Sequence, residues 1–384
     1  MCCFKKSKRN SVNWFLPVAQ IQQFINDMQT QYNVTIKYLQ EFTALGTAGS
    51  LYHFRDQIRY GSPDAFFVMN GDICADFALE DFYQFHKEQP AKFQCKSYVT
   101  IMGTEATRQQ SLNYGCIVTN KETQEITHYV EKPSSYVSTL ISCGIYVFSL
   151  DIFQVIGEAF NAKQQEYYRN ENGNGTKEAG YIKLEKDIFP HLAGTGKMYA
   201  FPVNNWWSQL KTAGSAIYAN RHYLELYRLK RPERLYTPKG EGDCTIIPDV
   251  YINPSASVDP TAVLGPNVSI GPGVIIGAGV RIRESIILAN AVIEERSLVL
   301  HSIIGRGSRV GRWARVEGTP SDPDPNKPFA KMENPPLFNS NGRLNPSITI
   351  LGCSVTVPSE TILLNTIVLP NKELSRSIKN EIIL

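Results

Sequence analysis

The stretch LGPNVSIGPGVIIGAGV, residues 264–280, is built on a six-residue unit: hexads begin at Leu264, Ile270 and Ile276, each with glycine in second place. Stepping by six from Val250 gives Val250, Ala256, Ala262, Val268, Val274, Val280, Ile286, Val292, Leu298, Ile304, Val310 and Val316, all twelve apolar. A second row, Ile252, Val258, Leu264, Ile270, Ile276, Ile282 and Leu288, runs beside it and breaks at Glu294. An α-helix would scatter residues spaced by six around its circumference. A flat strand alternates by two and has no use for a turn residue in every sixth place. A three-sided coil with six residues per side satisfies both features, because each side presents an inward row and each corner needs a turn at which glycine takes φ > 0. Such coils stack as a solenoid, each burying its inward row against the next. The expected second domain, residues 236–384, is therefore a left-handed parallel β-helix of hexapeptide repeats, with the twelve-member row pointing inward.

The repeat pauses at Glu317 and resumes with Leu351, Val357, Leu363 and Leu369, again stepping by six. Between them, residues 318–347 hold seven prolines and many Asn, Asp and Ser. Loops beyond about 12–15 residues are uncommon in compact domains unless functional or disordered. This insertion is expected either to be disordered or to reach away from the coils towards a partner.

The 384-residue chain has room for a second core ahead of the coils. A net charge of +3 asks for neither nucleic acid nor an anionic membrane as partner. Eight cysteines without C-x-x-C spacing read as reduced thiols, and no apolar run reaches membrane-spanning length, so a cytoplasmic protein is expected. Within an expected first domain of residues 32–235, residues 34–230 alternate strand-like and helix-like stretches. Val34–Tyr38, Ala65–Met69 and Ser97–Gly103 read as strands, and 50–60, 77–88 and 211–228 as helices, the rhythm of a parallel sheet covered on both faces. The polar, glycine-punctuated segment 161–180 reads as a loop. Residues 1–31 form an atypical leading segment, in which Met1–Trp14 does not read as a strand–loop–helix unit. His301, the one histidine near the coils, reads as a surface residue.

Ligands of such sheets bind beyond the carboxyl ends of the strands. There Phe66–Met69 runs straight into Asn70-Gly71-Asp72, and around it, in chain order, stand Leu45-Gly46-Thr47-Ala48-Gly49, Asn113-Tyr114-Gly115, Val130-Glu131-Lys132-Pro133 and Ile182-Lys183-Leu184-Glu185-Lys186-Asp187. In these motifs the chain resembles the sugar-1-phosphate nucleotidyltransferases, and within them the alpha-type branch of the mannose-1-phosphate guanylyltransferases. The resemblance runs from about residue 32 to the C-terminus and includes Glu317-Gly318-Thr319-Pro320-Ser321-Asp322-Pro323 and Ile367-Val368-Leu369-Pro370. It implies a Rossmann-like α/β nucleotidyltransferase domain, incomplete at its N-terminus, ahead of the β-helix. It further implies that Leu45, Gly46 and Thr47 clamp a nucleobase, that Asp72 ligates Mg²⁺, that Gly115, Glu131 and Gly144 hold a sugar, and that Lys132 meets its phosphate. A carboxylate for Mg²⁺, a cation for phosphate and a carboxylate for hydroxyls are what a nucleotide sugar requires. Taken alone, Glu131-Lys132 is equally an exposed ion pair.

The chain also departs from the family pattern. No glycine precedes Gly46, so the family's glycine- and arginine-rich phosphate loop is missing from this sequence. The family's Trp-x-Asp becomes Trp207-Ser208-Gln209, an amide in place of the second metal carboxylate, and its Asn-Ala-Gly becomes Ser142-Cys143-Gly144. The resemblance then implies a regulatory, non-catalytic subunit with no catalytic residue of its own. It would sense GDP-mannose or a GTP-like ligand and act in an oligomer with a catalytic beta-type guanylyltransferase subunit. Two alternatives stand beside it: an active guanylyltransferase making GDP-mannose, and a pyrophosphorylase-like assembly subunit of a translation-initiation exchange factor.

Overall fold

A computed structural model of the chain describes residues 2–5, 9–14, 18–93, 97–169, 180–238, 240, 242–333 and 335–384. It divides into two compact units, Met1–Trp207 with Pro325–Lys331, and Ser208–Asp324 with Met332–Leu384.

The first unit is a covered sheet. Its elements run β1 (Cys2–Lys5), β2 (Arg9–Trp14), α1 (Val18–Tyr32), β3 (Thr35–Gln40), α2 (Gly46–His53), α3 (Arg55–Arg59), β4 (Ala65–Met69), β5 (Ile73–Ala75), α4 (Leu79–Phe93), β6 (Val99–Glu105), β7 (Gly115–Thr119), β8 (Ile126–Glu131), β9 (Leu140–Ser149), α5 (Ile152–Arg169), α6 (Phe189–Leu192) and β10 (Met198–Pro202). The strand order is β10-β6-β9-β4-β1-β2-β3, with β7 pairing β8 and β9. The sheet is mixed, a correction to the all-parallel expectation. β9 runs against β4 and β6 because it follows the β7–β8 hairpin, and β1 runs against β4 and β2. β6 and β9 are buried almost throughout, as strands covered on both faces must be. Phe66, Val68, Ile101, Tyr146, Phe148 and Phe189 fill one core; Met69, Phe82, Met102, Cys143, Ile145, Val147 and Trp207 fill the other.

Two further expectations change. The leading segment is not foreign to the sheet, since β1 and β2 extend it between β4 and β3. These strands are short and show no sustained alternation of apolar and polar residues, so their own patterning did not mark them; pairing to neighbours makes them strands. Residues 161–169 are the last turns of α5 rather than loop, while 170–179 lie outside the described residues.

The second unit holds α7 (Ala213–Lys230) and the β-helix, whose three parallel sheets run from Thr245–Ile246 to Ile378–Lys379, from Val250–Ile252 to Ile382–Ile383, and from Ser257–Val258 to Thr356–Val357. α7 packs on the second of these. Ser269 donates to Asn220 Oδ1 at 2.6 Å, Asn220 donates to the Asn267 carbonyl at 3.2 Å, and Arg221 pairs with the largely buried Glu284 at 3.2 Å.

The inward row is not the one that strict counting by six gives. Val250 pairs with Val268, a coil of 18 residues, but Leu298 pairs with Arg315, a coil of 17. The lost residue is at one corner. After Ile282 the next inward positions are Ser285 and Ile287, so Ile287, Ile293 and Val299 are buried while Ile286, Val292 and Leu298 are only half-buried. The shortened corner places a non-glycine residue at positive φ, Glu284 at 47°, His301 at 46° and Asn365 at 50°. It then sets a hydroxyl beneath: Ser285 donates to the Arg283 carbonyl at 2.7 Å, Ser302 to Leu300 at 2.7 Å and Thr366 to Leu364 at 3.0 Å. His301 is thus a half-buried corner residue, with Nδ1 enclosed and without a partner among the described residues, rather than a surface histidine.

The same corner explains where the insertion leaves. Thr349 donates to the Glu317 carbonyl at 2.5 Å, the bond that elsewhere spans one intervening residue. Thr319 N–H donates to the Ser347 carbonyl at 3.0 Å, so the ends of the insertion are pinned together. It does not simply reach away. Pro325–Lys331 belongs to the first unit, where Gln110 donates to the Lys331 carbonyl at 2.8 Å and accepts its N–H at 3.1 Å.

Val274 is fully buried in the coil and Arg281 is exposed. Val274→Asp is expected to abolish the cooperative melt of the second unit, because an unpaired buried carboxylate costs as much as a domain's whole stability. Arg281→Asp should change stability by less than about 0.5 kcal/mol. Thermal or denaturant melts that coincide for the two variants would contradict the register.

Candidate functional site

Leu45, Gly46 and Thr47 form the start of α2 and are held against the segment that precedes α6. The amides of Ala48 and Gly49 donate to the Ile182 carbonyl at 2.9 and 3.2 Å, and the Ile182 N–H donates to the Leu45 carbonyl at 2.9 Å. This approach needs glycine. Gly46 has φ of +73°, and a Cβ there would stand 2.5 Å from the Ile182 oxygen. Thr47 Oγ1 accepts from Leu184 N–H at 2.8 Å and donates to Glu185 Oε2 at 2.9 Å.

Glu185 joins this side to β9. Tyr146 donates to its other oxygen at 3.5 Å, and Tyr129 donates to Glu131 Oε2 at 3.2 Å. Gly115 pairs with Glu131 across β7 and β8, and a Cβ on it would meet the Tyr129 hydroxyl at 2.1 Å. Burial pushes the Glu185 carboxyl above the ordinary carboxylate range, the like charge of Glu131 adds to this, and hydrogen bonds from Thr47 and Tyr146 oppose it. Burial also holds the Tyr129 and Tyr146 phenols well above their ordinary value, so both stay neutral donors.

Gly144, with φ of +70°, lies against Asn70: the Asn70 N–H donates to its carbonyl at 3.0 Å, and a Cβ would come 2.7 Å from Asn70 Nδ2. Asp72 follows two residues later, half-buried. Lys132 has φ of 47°, donates its N–H to the Tyr114 carbonyl at 3.1 Å and leaves its side chain exposed. The structure therefore gathers Thr47, Gly115 and Glu131 around Glu185, sets Gly144 on the Asn70–Asp72 turn, and leaves Lys132 at the rim. Sequence reading quoted the Ile182–Asp187 motif yet gave Glu185 no role. An acid flanked by Ile182, Leu184 and Ile188, all buried, was the signal.

Comparison with known proteins decides the family. The nucleotidyl transferase family model matches residues 18–222, and the GMPPB C-terminal domain model matches 246–384. The mannose-1-phosphate guanylyltransferase regulatory subunit alpha of Drosophila melanogaster is 66% identical over 385 residues, spanning 96% of this chain and 87% of that protein. The alpha-A regulatory subunit of Danio rerio is 55% identical over 373 residues (97% and 87%), and the human alpha regulatory subunit 52% identical over 375 (97% and 87%). The chain belongs to the mannose-1-phosphate guanylyltransferase alpha-subunit family.

A resident Mg²⁺ fits this alpha-subunit family member poorly. Asp72 supplies one carboxylate, Gln209 is neutral, and among the described residues no three His, Cys, Asp or Glu side chains gather as a metal would need. Among the described residues, no helix is long and apolar enough to cross a membrane.

Because Glu185 holds its proton to higher pH in the folded chain than in the unfolded one, stability falls as pH rises from the ordinary carboxylate value through the raised one, and stays lower above it. Glu185→Gln should remove that loss. Its melting temperature is expected to gain on the wild type as pH rises above the ordinary carboxylate value, and to stop gaining once the raised one is passed. Melting curves that stay parallel across this range would show that Glu185 ionises as freely as an exposed acid.

Proposed function

We propose that this chain is the regulatory, non-catalytic alpha-type subunit of a mannose-1-phosphate guanylyltransferase, acting in the cytoplasm. It holds GDP-mannose or a GTP-like ligand and assembles, as an oligomer, with a catalytic beta-type subunit. The observation that carries the reading is the contrast within one site. On the base and sugar sides, buried groups are arranged with the hydrogen bonds a ligand of this kind uses; on the metal side there is a single carboxylate. Leu45, Gly46 and Thr47 offer backbone groups for the base, Gly115 lets Tyr129 and Glu131 close in and Gly144 does the same for Asn70, Glu131 accepts from the sugar hydroxyls, and Lys132 reaches phosphate from the rim.

Nucleotidyl transfer needs the negative charge developing on phosphate to be neutralised in place. An amide at 209 gives a cation one neutral oxygen and no charge. Loss of a single such electrostatic group commonly costs about 10²–10³ in rate. Binding needs no such group, so a site of this composition retains ligand and loses chemistry.

The purified chain, given GTP, mannose 1-phosphate and Mg²⁺, is expected to release no pyrophosphate above background, whereas calorimetry should detect GDP-mannose binding. Glu131→Ala should weaken that binding by about tenfold, the cost of one charged hydrogen bond. Turnover near about 1 s⁻¹, ordinary for an enzyme, would overturn the non-catalytic reading.

A further inference from the structure

Trp207 touches both loops that form the sugar side, and a lysine from the distant insertion lies over it. The indole Nε1–H donates to the Cys143 carbonyl at 3.0 Å, next to Gly144. The ring meets Tyr114, next to Gly115, edge-on at 5.5 Å between centroids. The Lys331 ammonium stands 5.9 Å from the centre of the Trp207 ring and donates to Thr104 Oγ1 at 3.3 Å. Its main chain is held by the Gln110 side-chain amide at both N–H and C=O, and Gln110 opens the short turn Gln110–Asn113 that leads directly into Tyr114 and Gly115.

We propose that Lys331 is a positioning residue for the sugar side of the site: its main chain anchors the 110–115 turn and its ammonium braces Trp207, which fixes Cys143–Gly144. The chain thereby makes the ligand-binding loops of its first unit depend on a segment inserted between coils of the β-helix. Lysine suits both ends of the task. Its stem passes along apolar surface, and its head is attracted by the indole face while donating to a hydroxyl. Burial lowers the pKa of this ammonium, the charge of Glu105 partly opposes that, and the hydrogen bond at Nζ goes to the Thr104 hydroxyl. A lysine serving only to fasten a surface loop would more simply pair with an exposed acid. The inference rests on the ligand reading above for its functional consequence, and on geometry alone for the positioning.

The test is hydrogen exchange on the full chain without ligand, joined to GDP-mannose calorimetry, for Lys331→Met, Gln110→Leu and Lys331→Arg. In the Met and Leu variants, exchange across 110–118 and 140–147 should rise about three- to tenfold with the β-helix unchanged, and GDP-mannose affinity should fall by a similar factor. Arginine at 331 should restore both. If exchange rises only within 318–333, or if affinity is untouched, Lys331 merely fastens the insertion and the proposal is overturned. A wild-type chain that fails to bind GDP-mannose would sink the preceding ligand reading instead, and the exchange pattern would then decide the positioning by itself.

Discussion

Burying the Glu185 carboxylate between Thr47 and Tyr146 imposes most of the geometry of the first unit's site. A buried acid must find donors, and it finds one on each side: the Thr47 hydroxyl at the start of α2 and the Tyr146 hydroxyl on β9. To bring Thr47 within reach, α2 has to press against Ile182, which only a glycine at position 46 allows. To bring Tyr146 there, β9 must lie between β4 and β6, the placement that also sets Gly144 against Asn70. Glu131 faces the same space and raises the cost of a second negative charge. Two carboxylates and two neutral phenols thus meet on this side of the sheet, each phenol donating to one of the acids.

The second unit answers to a different constraint, the number of residues each corner of the coil admits. Where a hydroxyl can close the corner from beneath, five residues suffice in place of six. The period of six was legible because apolar side chains and glycines recur with it. The slip was not, because the residues on either side of the choice are all apolar: Ile286 and Ile287, Val292 and Ile293, Leu298 and Val299. Glu294, which breaks the second row, marked it; its carboxylate pairs with Arg309 outside the coil. The root of the insertion is the same corner, still closed by Thr349, so a long excursion costs the solenoid little.

In the first unit, Leu45–Thr47, Asp72, Gly115, Glu131, Lys132 and Gly144 were nominated by the resemblance their motifs carry, not by local pattern. What sequence could not give were contacts made across long stretches of chain. Thr47 and Glu185 are 138 residues apart, and Gln110 and Lys331 are 221 apart. Neither pair has a local pattern, because a buried acid and a half-buried lysine each look like surface charge until the fold supplies their neighbours. The strands β1 and β2 escaped notice for a related reason: their stability comes from the ladder partners on β4 and β3 rather than from their own alternation.

The central claim is that this site senses a nucleotide sugar on behalf of another subunit. The most direct measurement is pyrophosphate release by a catalytic beta-type guanylyltransferase subunit, assayed with and without this chain over a range of GDP-mannose concentrations. The account predicts that adding the chain lowers the rate, that the restraint deepens as GDP-mannose rises, and that Glu131→Ala shifts the dependence to higher ligand concentration without preventing assembly. A partner rate that is the same with and without the chain at every GDP-mannose concentration would contradict it.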